Sequence, residues 1–276
     1  METLLVLTDF SKAADNAAKY ACMLAKQLGC HSIILYHSYQ VPIPVSEAPT
    51  WTVDDDTMRQ SALQNLQDME TVMEEKIPQG VILRHRTDAV GLDNINVVAK
   101  DEKSDIIVMG TTGKTKLEEI LLGSNAINVC KNSDYPVLLI PEYAELRPAE
   151  QIIFACDMKE VEETIPIDKL KIIFDSFRLP LAVLNVDDEK GHFSADTPTN
   201  IRNLHDLLKS YDPGYYNITS ADVVKGISEF AKLNPSIVLL ITRMHNFMES
   251  LFYRSVTKRL AYTTTFPLLV LREQRG

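Results

Sequence analysis

Two hydrophobic patterns alternate along this chain. Short stretches such as "LLVLTD" (4–9), "SIILYHS" (32–38), "SDIIVMG" (104–110) and "YPVLLIP" (135–141) carry unbroken runs rich in Val, Ile and Leu. Runs of that kind fit strands buried on both faces, and therefore a parallel sheet with helices on each side. Between them lie amphipathic stretches of helical period. The first is "SKAADNAAKYACMLAKQLG" (11–29), with Ser11 placed to cap its start and Gly29 its end.

The same order of signals returns in the second half. "QIIFACD" (151–157) matches the opening strand, and each of the two ends in an aspartate, Asp9 and Asp157. A helix follows within "VEETIPIDKLKIIFDSF" (161–177), then a strand at "LAVLNV" (181–186). "PSIVLLIT" (235–242) parallels 104–110, and "FPLLVLR" (266–272) parallels 135–141. The expected fold is α/β: two tandem, doubly wound, open parallel-sheet domains of five strands each. Their expected bounds are 1–142 and 149–276, with the linker near "EYAELRPAE" (142–150). The connection 39–57 carries Pro42, Pro44 and Pro49, which keep it out of regular structure. Asp54, Asp55 and Asp56 then read as the acidic first turn of the next helix. Neighbours in a helix point in different directions, so they make a poor metal site, and no metal ligands are assigned.

At 276 residues and 45% apolar content the chain can bury a sizeable core. The net charge of −10, most of it in residues 1–146, argues against a nucleic-acid binder. No apolar run reaches the roughly 18–20 residues of a membrane span, and no signal-peptide pattern opens the chain. A soluble cytoplasmic protein is expected. Cys22, Cys30, Cys130 and Cys156 form no C-x-x-C pair and read as small thiols in a reducing compartment.

Candidate chemistry concentrates after the fourth strand, in "GTTGKTKLEEILLGSNA" (110–126). The "GKT" invites a P-loop reading, but five positions before Gly113 stands Val108, inside the strand. The dinucleotide pattern fails too, because "LTDFS" has no glycine. What remains is Gly110, Gly113 three residues on, and Gly123–Ser124 after nine more, or G-x2-G-x9-G-S. Glycines let backbone approach a sugar or phosphate, and Gly123–Ser124 opens a helix whose free N–H groups and dipole favour an anion. Ser124 adds a hydroxyl. Asp9 and Gly110 both end strands, where ligands sit in open α/β sheets. Local structure offers competing explanations: Asp9 as a cap of the next helix, the glycines as turn formers, Ser124 as an N-cap, and Lys114 and Lys116 as solvated surface. Asp88, ending the third strand, either shapes a pocket or caps a helix. His37 ends the second strand near the expected pocket, where a lone histidine is usually a packing residue.

With Asp9, "DIIVMGTTG" and "YPVLLIP" around it, the glycine motif resembles that of the universal stress protein family, and the chain resembles a tandem two-domain member throughout its length. The resemblance implies an adenine nucleotide alpha hydrolase-like fold and binding of ATP, or AMP or ADP, with the need for Mg²⁺ left open. It implies that Asp9 accepts from the adenine amino group, that Ser38 lines the base, and that Gly110, Gly113, Gly123, Ser124 and the backbone of Asn125 hold sugar and phosphates. Aligned on its fourth strand, the second half places Thr242 at Gly110 and His245 at Gly113. Counted back from Pro136 and Pro267, it places Arg254 at Gly123 and Ser255 at Ser124, in a loop one residue shorter. Every glycine is lost, so one nucleotide per chain is expected.

No H-x-G-H, G-x-S-x-G or H-E-x-x-H set is present. The expected role is an ATP-binding stress-response or signalling factor rather than an enzyme, with an unidentified protein partner. The alternatives are a slow ATPase or nucleotide-processing enzyme, and a nucleotide-free interaction module with a residual motif. The family resemblance also implies pairing through the final strands, within one chain as a pseudo-dimer or between chains as a homodimer.

Overall fold

The computed structural model describes residues 1–39, 55–111, 124–187, 197–242, 256–257, 259–261 and 263–273. The expected connection 40–54, the loop 112–123 with Gly113, Lys114, Lys116 and Gly123, and positions His245, Arg254 and Ser255 lie outside the described residues.

The first half runs β1 (Thr3–Leu7), α1 (Lys12–Leu28), β2 (Ser32–Ser38), α2 (Asp55–Met73), β3 (Ile82–Asp88), α3 (Ile95–Asp101), β4 (Ile106–Thr111), α4 (Ser124–Asn132) and β5 (Val137–Pro141). The second runs β6 (Gln151–Ala155), α5 (Val161–Thr164), α6 (Ile167–Phe177), β7 (Leu181–Asp187), α7 (Thr197–Leu208), β8 (Gly214–Thr219), α8 (Val223–Ala231), β9 (Ser236–Thr242) and β10 (Leu268–Arg272), with helical backbone again at 256–257 and 259–261.

The ends follow local chemistry. Ser11, in extended conformation, accepts from Ala14 N through its hydroxyl and starts α1. Gly29 adopts φ 67°, which a Cβ would disfavour, and returns its N–H to Ala25 O. The helix expected within 161–177 is two pieces. Pro166 has no N–H to give and holds Ile165 extended at ψ 115°, so α5 stops after four residues and α6 starts afresh.

The strands form one ten-stranded sheet in the order β3-β2-β1-β4-β5-β10-β9-β6-β7-β8. Every pairing is parallel except that of β5 with β10. There Leu138 pairs Leu269, Val137 pairs Val270 and Leu139 pairs Leu268. Leu138 meets its own repeat counterpart, Leu269, and Val137 and Leu139 each meet the counterpart of the other, about a pseudo-twofold axis between Leu138 and Leu269. The final strands therefore do pair within one chain. Side chains alternate between two apolar layers: Leu4, Val6, Leu138, Leu269 and Leu271 face one, and Leu5, Leu7, Leu139, Leu268 and Val270 the other. Both layers run unbroken across the joint. The edge strands differ in exposure, with Ile82 on β3 and Tyr215 and Tyr216 on β8 open to solvent.

Polar side chains reinforce the joint. Arg272, its side chain 6% exposed, donates through Nη1 towards Asn132 O at 3.5 Å and Asp134 Oδ1 at 3.4 Å, at the end of α4. In the other direction, Thr111 Oγ1 donates to Ala261 O at 3.3 Å, in the helical stretch before β10.

Candidate functional site at the carboxyl edge of the first half

β1 leaves the sheet at Leu7 and turns through Thr8, Asp9 and Phe10 into α1. Phe10 sits at φ 64°, a left-handed conformation that costs a non-glycine residue on the order of 1 kcal/mol or more. Two side-chain bonds hold it: Phe10 N donates to Thr8 Oγ1 and Ser11 N to Asp9 Oδ1, each at 3.0 Å. The cap of α1 is thus Ser11, while Asp9 braces the turn before it, with its carboxylate exposed at the sheet edge. The second half repeats the device with different side chains. Met158 has φ 57°, its N–H meets Cys156 Sγ at 3.3 Å, and Lys159 N donates to Asp157 Oδ1 at 3.2 Å.

Beside this turn, β2 ends at Ser38. The Ser38 hydroxyl donates to Val90 O at 2.6 Å, which leaves its lone pairs for any further partner. Asp88 caps no helix. Oδ1 accepts from Tyr36 Oη at 2.6 Å and Val90 N at 3.0 Å, and Oδ2 accepts from Arg86 Nε at 3.1 Å. Burial, and then the bond to Asp88, push the Tyr36 phenol well above its ordinary pKa, so it stays a neutral donor. Asp88 therefore fixes the 88–90 segment against β2, and through Val90 O it positions Ser38. His37 Nδ1 lies 2.8 Å from Thr8 O, and its ring packs on Phe10 at 4.5 Å between centroids. His37 is a packing residue of the turn. The roles of Thr8, Phe10 and Val90 escaped the sequence reading; the one sequence cue for them is the paired Asp–x–[Ser/Lys] turn at 9–11 and 157–159.

Gly110 lies in β4, paired with Ile140 of β5. Its glycine requirement has a source other than a ligand: a Cβ there would lie 2.3 Å from both C and O of Ala13 and 2.7 Å from Ala14 N. The first turn of α1 occupies that space. α4 starts at Ser124, as the motif predicts, and Asn125 is exposed in its first turn. The structure thus brings Asp9, Ser38, Gly110 and the start of α4 to one edge of the sheet.

The registers correct the alignment of the halves. Gly110 pairs with Ile140, and Ile241 with Leu271, whereas Thr242 pairs with Arg272. Leu4 with Ile106 and Ile152 with Ile237 give the same correspondence. Ile241, not Thr242, is the counterpart of Gly110, and Met244 rather than His245 that of Gly113. One offset then leads from Gly110 to Ile241, Gly123 to Arg254 and Pro136 to Pro267, so the loops are equally long. An Ile side chain cannot occupy the space that α1 fills over Gly110, so α5 cannot approach β9 as α1 approaches β4.

Other reactive groups are subdued. Burial pushes the Cys22 and Cys30 thiols up to about 11 and Cys130 up to about 12, which keeps them protonated and inert. None of the four cysteines is in a disulfide. Among the described residues, no group of three or more His, Cys, Asp or Glu side chains could hold a metal ion, and no helix is long and apolar enough to cross a membrane.

Comparison with known proteins agrees with this architecture. Residues 1–141 match the model of the universal stress protein family. Universal stress protein MJ0531 of Methanocaldococcus jannaschii is 33% identical over 139 residues, 50% of this chain and 80% of that protein. Universal stress protein MJ0577 of the same organism is 54% identical over a shorter span of 48 residues, 17% of this chain and 30% of that protein. The crystal structure of a universal stress protein from Archaeoglobus fulgidus superposes with a TM-score of 0.69 at 18% identity, covering 98% of each chain, and shares the fold along both halves. The architecture is two tandem doubly wound units of the adenine nucleotide alpha hydrolase-like type, and the chain belongs to the universal stress protein family.

Proposed function

We propose that the chain binds one adenine nucleotide, ATP or its AMP or ADP counterparts, at the carboxyl edge of the first half, and acts as a nucleotide-responsive stress or signalling factor rather than as an enzyme. The observation that carries this reading is the meeting of Asp9, Ser38, Gly110 and the start of the nine-residue helix α4 on one edge, at the two ends of the G-x2-G-x9-G-S motif. Asp9 gives one oxygen to Ser11 N and has acceptor capacity left for the adenine amino group. Ser38 Oγ, with its hydrogen held by Val90 O, acts there only as an acceptor. The free N–H groups of the first turn of α4, including that of Asn125, and the helix dipole take the phosphates. Gly113 and Gly123, outside the described residues, enter this reading through the motif alone.

In the second half Ile241 stands where Gly110 does, and the sequence puts Arg254 at Gly123. We therefore assign one nucleotide per chain, domains at 1–142 and 149–276, and a pseudo-dimer within the chain in which only the first partner binds. Cys22, Cys30 and Cys130 are buried and none of the four cysteines is in a disulfide, which fits a reducing compartment, and we place the protein in the cytoplasm. Titration calorimetry with ATP tests the reading. The expected stoichiometry is near one per chain. Gly123→Val should abolish binding without unfolding the protein, while Arg254→Ala should leave it unchanged. Two equivalent sites, or turnover on the order of 1 s⁻¹ as in ordinary enzymes, would overturn it.

A further inference from the structure

The sheet ends at β3 on one side and β8 on the other, and the two strands are counterparts in the repeat. An edge strand offers unpaired N–H and C=O groups to any further strand, and proteins blunt such edges with charge. β3 is blunted in this way. It carries Arg84, His85, Arg86 and Asp88. Arg84 and Arg86 pair with Glu102 at 3.5 and 3.0 Å, and His85 pairs with Glu70 at 2.6 Å. A strand added there would have to desolvate part of this network. β8, "GYYNIT", holds no charged residue. Tyr215, Tyr216, Asn217 and Thr219 are exposed, and among the described residues none pairs with the outer side of the strand.

The hydrogen bonds to β7 fix which groups face outward. Ser220 N donates to Asp187 O at 2.9 Å. Direction alternates along a strand, so Gly214, Tyr216 and Ile218 also turn their backbone groups to β7, while Tyr215, Asn217 and Thr219 turn theirs to the open side. Side chains alternate between the two faces. Tyr215 stands on the α7 side, its ring 5.9 Å from that of His205, and Tyr216 on the α8 side, 4.9 Å from that of Phe230.

This strand is its own complement. A second copy turned about a twofold axis through Asn217 lies antiparallel to it. Asn217 then faces Asn217 of the other copy, and Tyr215 faces Thr219, so every outward N–H and C=O of these residues finds a partner. On the α8 side Tyr216 meets Ile218. Apart from the neutral amides on the axis, each pair joins an aromatic to a β-branched residue, a favourable combination, and no charge opposes another. Such a contact uses the same patch on both molecules and closes at two. The charged β3 remains at each outer end and resists further growth.

We propose that β8 is a dimerisation edge, at which two copies of this chain join antiparallel through Tyr215–Thr219, with Asn217 on the twofold, and make one sheet across both molecules. This contact is separate from the β5–β10 joint inside each chain and does not depend on nucleotide binding in the first half.

Sedimentation of the full-length protein tests it. The parent should be a dimer at about 10 μM, where an interface of ordinary affinity is filled. Asn217 is exposed, so its replacement leaves the core intact. Asn217→Lys sets two like charges face to face on the axis and should weaken the dimer at least ~10-fold, as should Asn217→Glu. Mixed together, these two variants should form a heterodimer tighter than either makes alone. Asn217→Cys gives an independent reading. Residues facing each other in a hydrogen-bonded pair have Cα atoms about 5.5 Å apart, within the range of a disulfide. Mild oxidation by oxidised glutathione should therefore link this variant, and not the parent, into a covalent dimer on a non-reducing gel. A monomeric parent would overturn the proposal. So would a dimer that Asn217→Lys and Asn217→Glu leave unchanged, a mixture no tighter than its components, or an Asn217→Cys chain that does not cross-link.

Discussion

Gly110→Ala is the sharpest perturbation available in the first half. The added Cβ would lie 2.3 Å from both C and O of Ala13 and 2.7 Å from Ala14 N. Ordinary contacts begin near 3.4 Å, so the overlap is roughly 1 Å and lies on the steep repulsive wall. Every atom struck is backbone, so no side chain can rotate away. Relief needs a shift of α1 by a comparable distance. That helix is fixed by the Ser11 cap and by the fully buried Ala17, Ala18, Ala21 and Leu24. A cost at the upper end of overpacking, about 3 kcal/mol, follows. For a chain of this size that corresponds to a fall in melting temperature of about 6–12 °C. Gly91→Ala is the control. Nothing lies within 4 Å of its added Cβ and its φ is −63°, so it should be neutral or stabilising by up to about 1 kcal/mol. Thermal and urea denaturation followed by circular dichroism measure both. If Gly110→Ala melts within about 1 °C of the parent, α1 does not rest on β4 as described, and the packing explanation of this glycine is wrong.

Two further outcomes follow from the site's surroundings. Asp88→Ala removes the acceptor of the buried Tyr36 hydroxyl and of Val90 N, and should cost about 1–3 kcal/mol in urea denaturation, whereas Tyr36→Phe leaves Asp88 bonded to Val90 and Arg86 and should cost less; the reverse order would show that Asp88 does not organise the segment. Asp222 caps α8 through Val224 N and meets Arg259 at 2.5 Å, and the bond from Arg259, first among the causes, holds its pKa below the ordinary value. Because the folded pKa is the lower one, its stabilisation is present above the unfolded aspartate pKa of about 4 and is lost as pH falls through the folded value. Asp222→Asn should therefore lower stability at neutral pH and flatten its loss below about pH 4, which pH-dependent melts would reveal; parallel curves for the two proteins would contradict the assignment.

Much of this protein was legible in its sequence. The unbroken apolar runs announced strands buried on both faces, the repeated order announced two halves, and Ser11, Gly29 and Ser124 marked helix ends, because each of these signals is local. Pairing of the final strands was expected from the family resemblance, and β5 and β10 meet on the pseudo-twofold. The register was not legible. A run such as "SIVLLIT" carries no internal mark, so sliding it one residue leaves an equally good apolar match, and Thr242 passed for the counterpart of Gly110. Only hydrogen bonds to neighbouring strands, Ile241 with Leu271 and Leu4 with Ile106, settle which residue stands where. The purposes of single residues were hidden for the same reason. That Gly110 makes room for Ala13 and that Asp88 serves Tyr36 and Val90 depend on contacts between residues distant in the chain. Sequence determines which elements form, since that is decided within a few residues. Which atoms they bring together is decided by packing, and only the tertiary structure holds it.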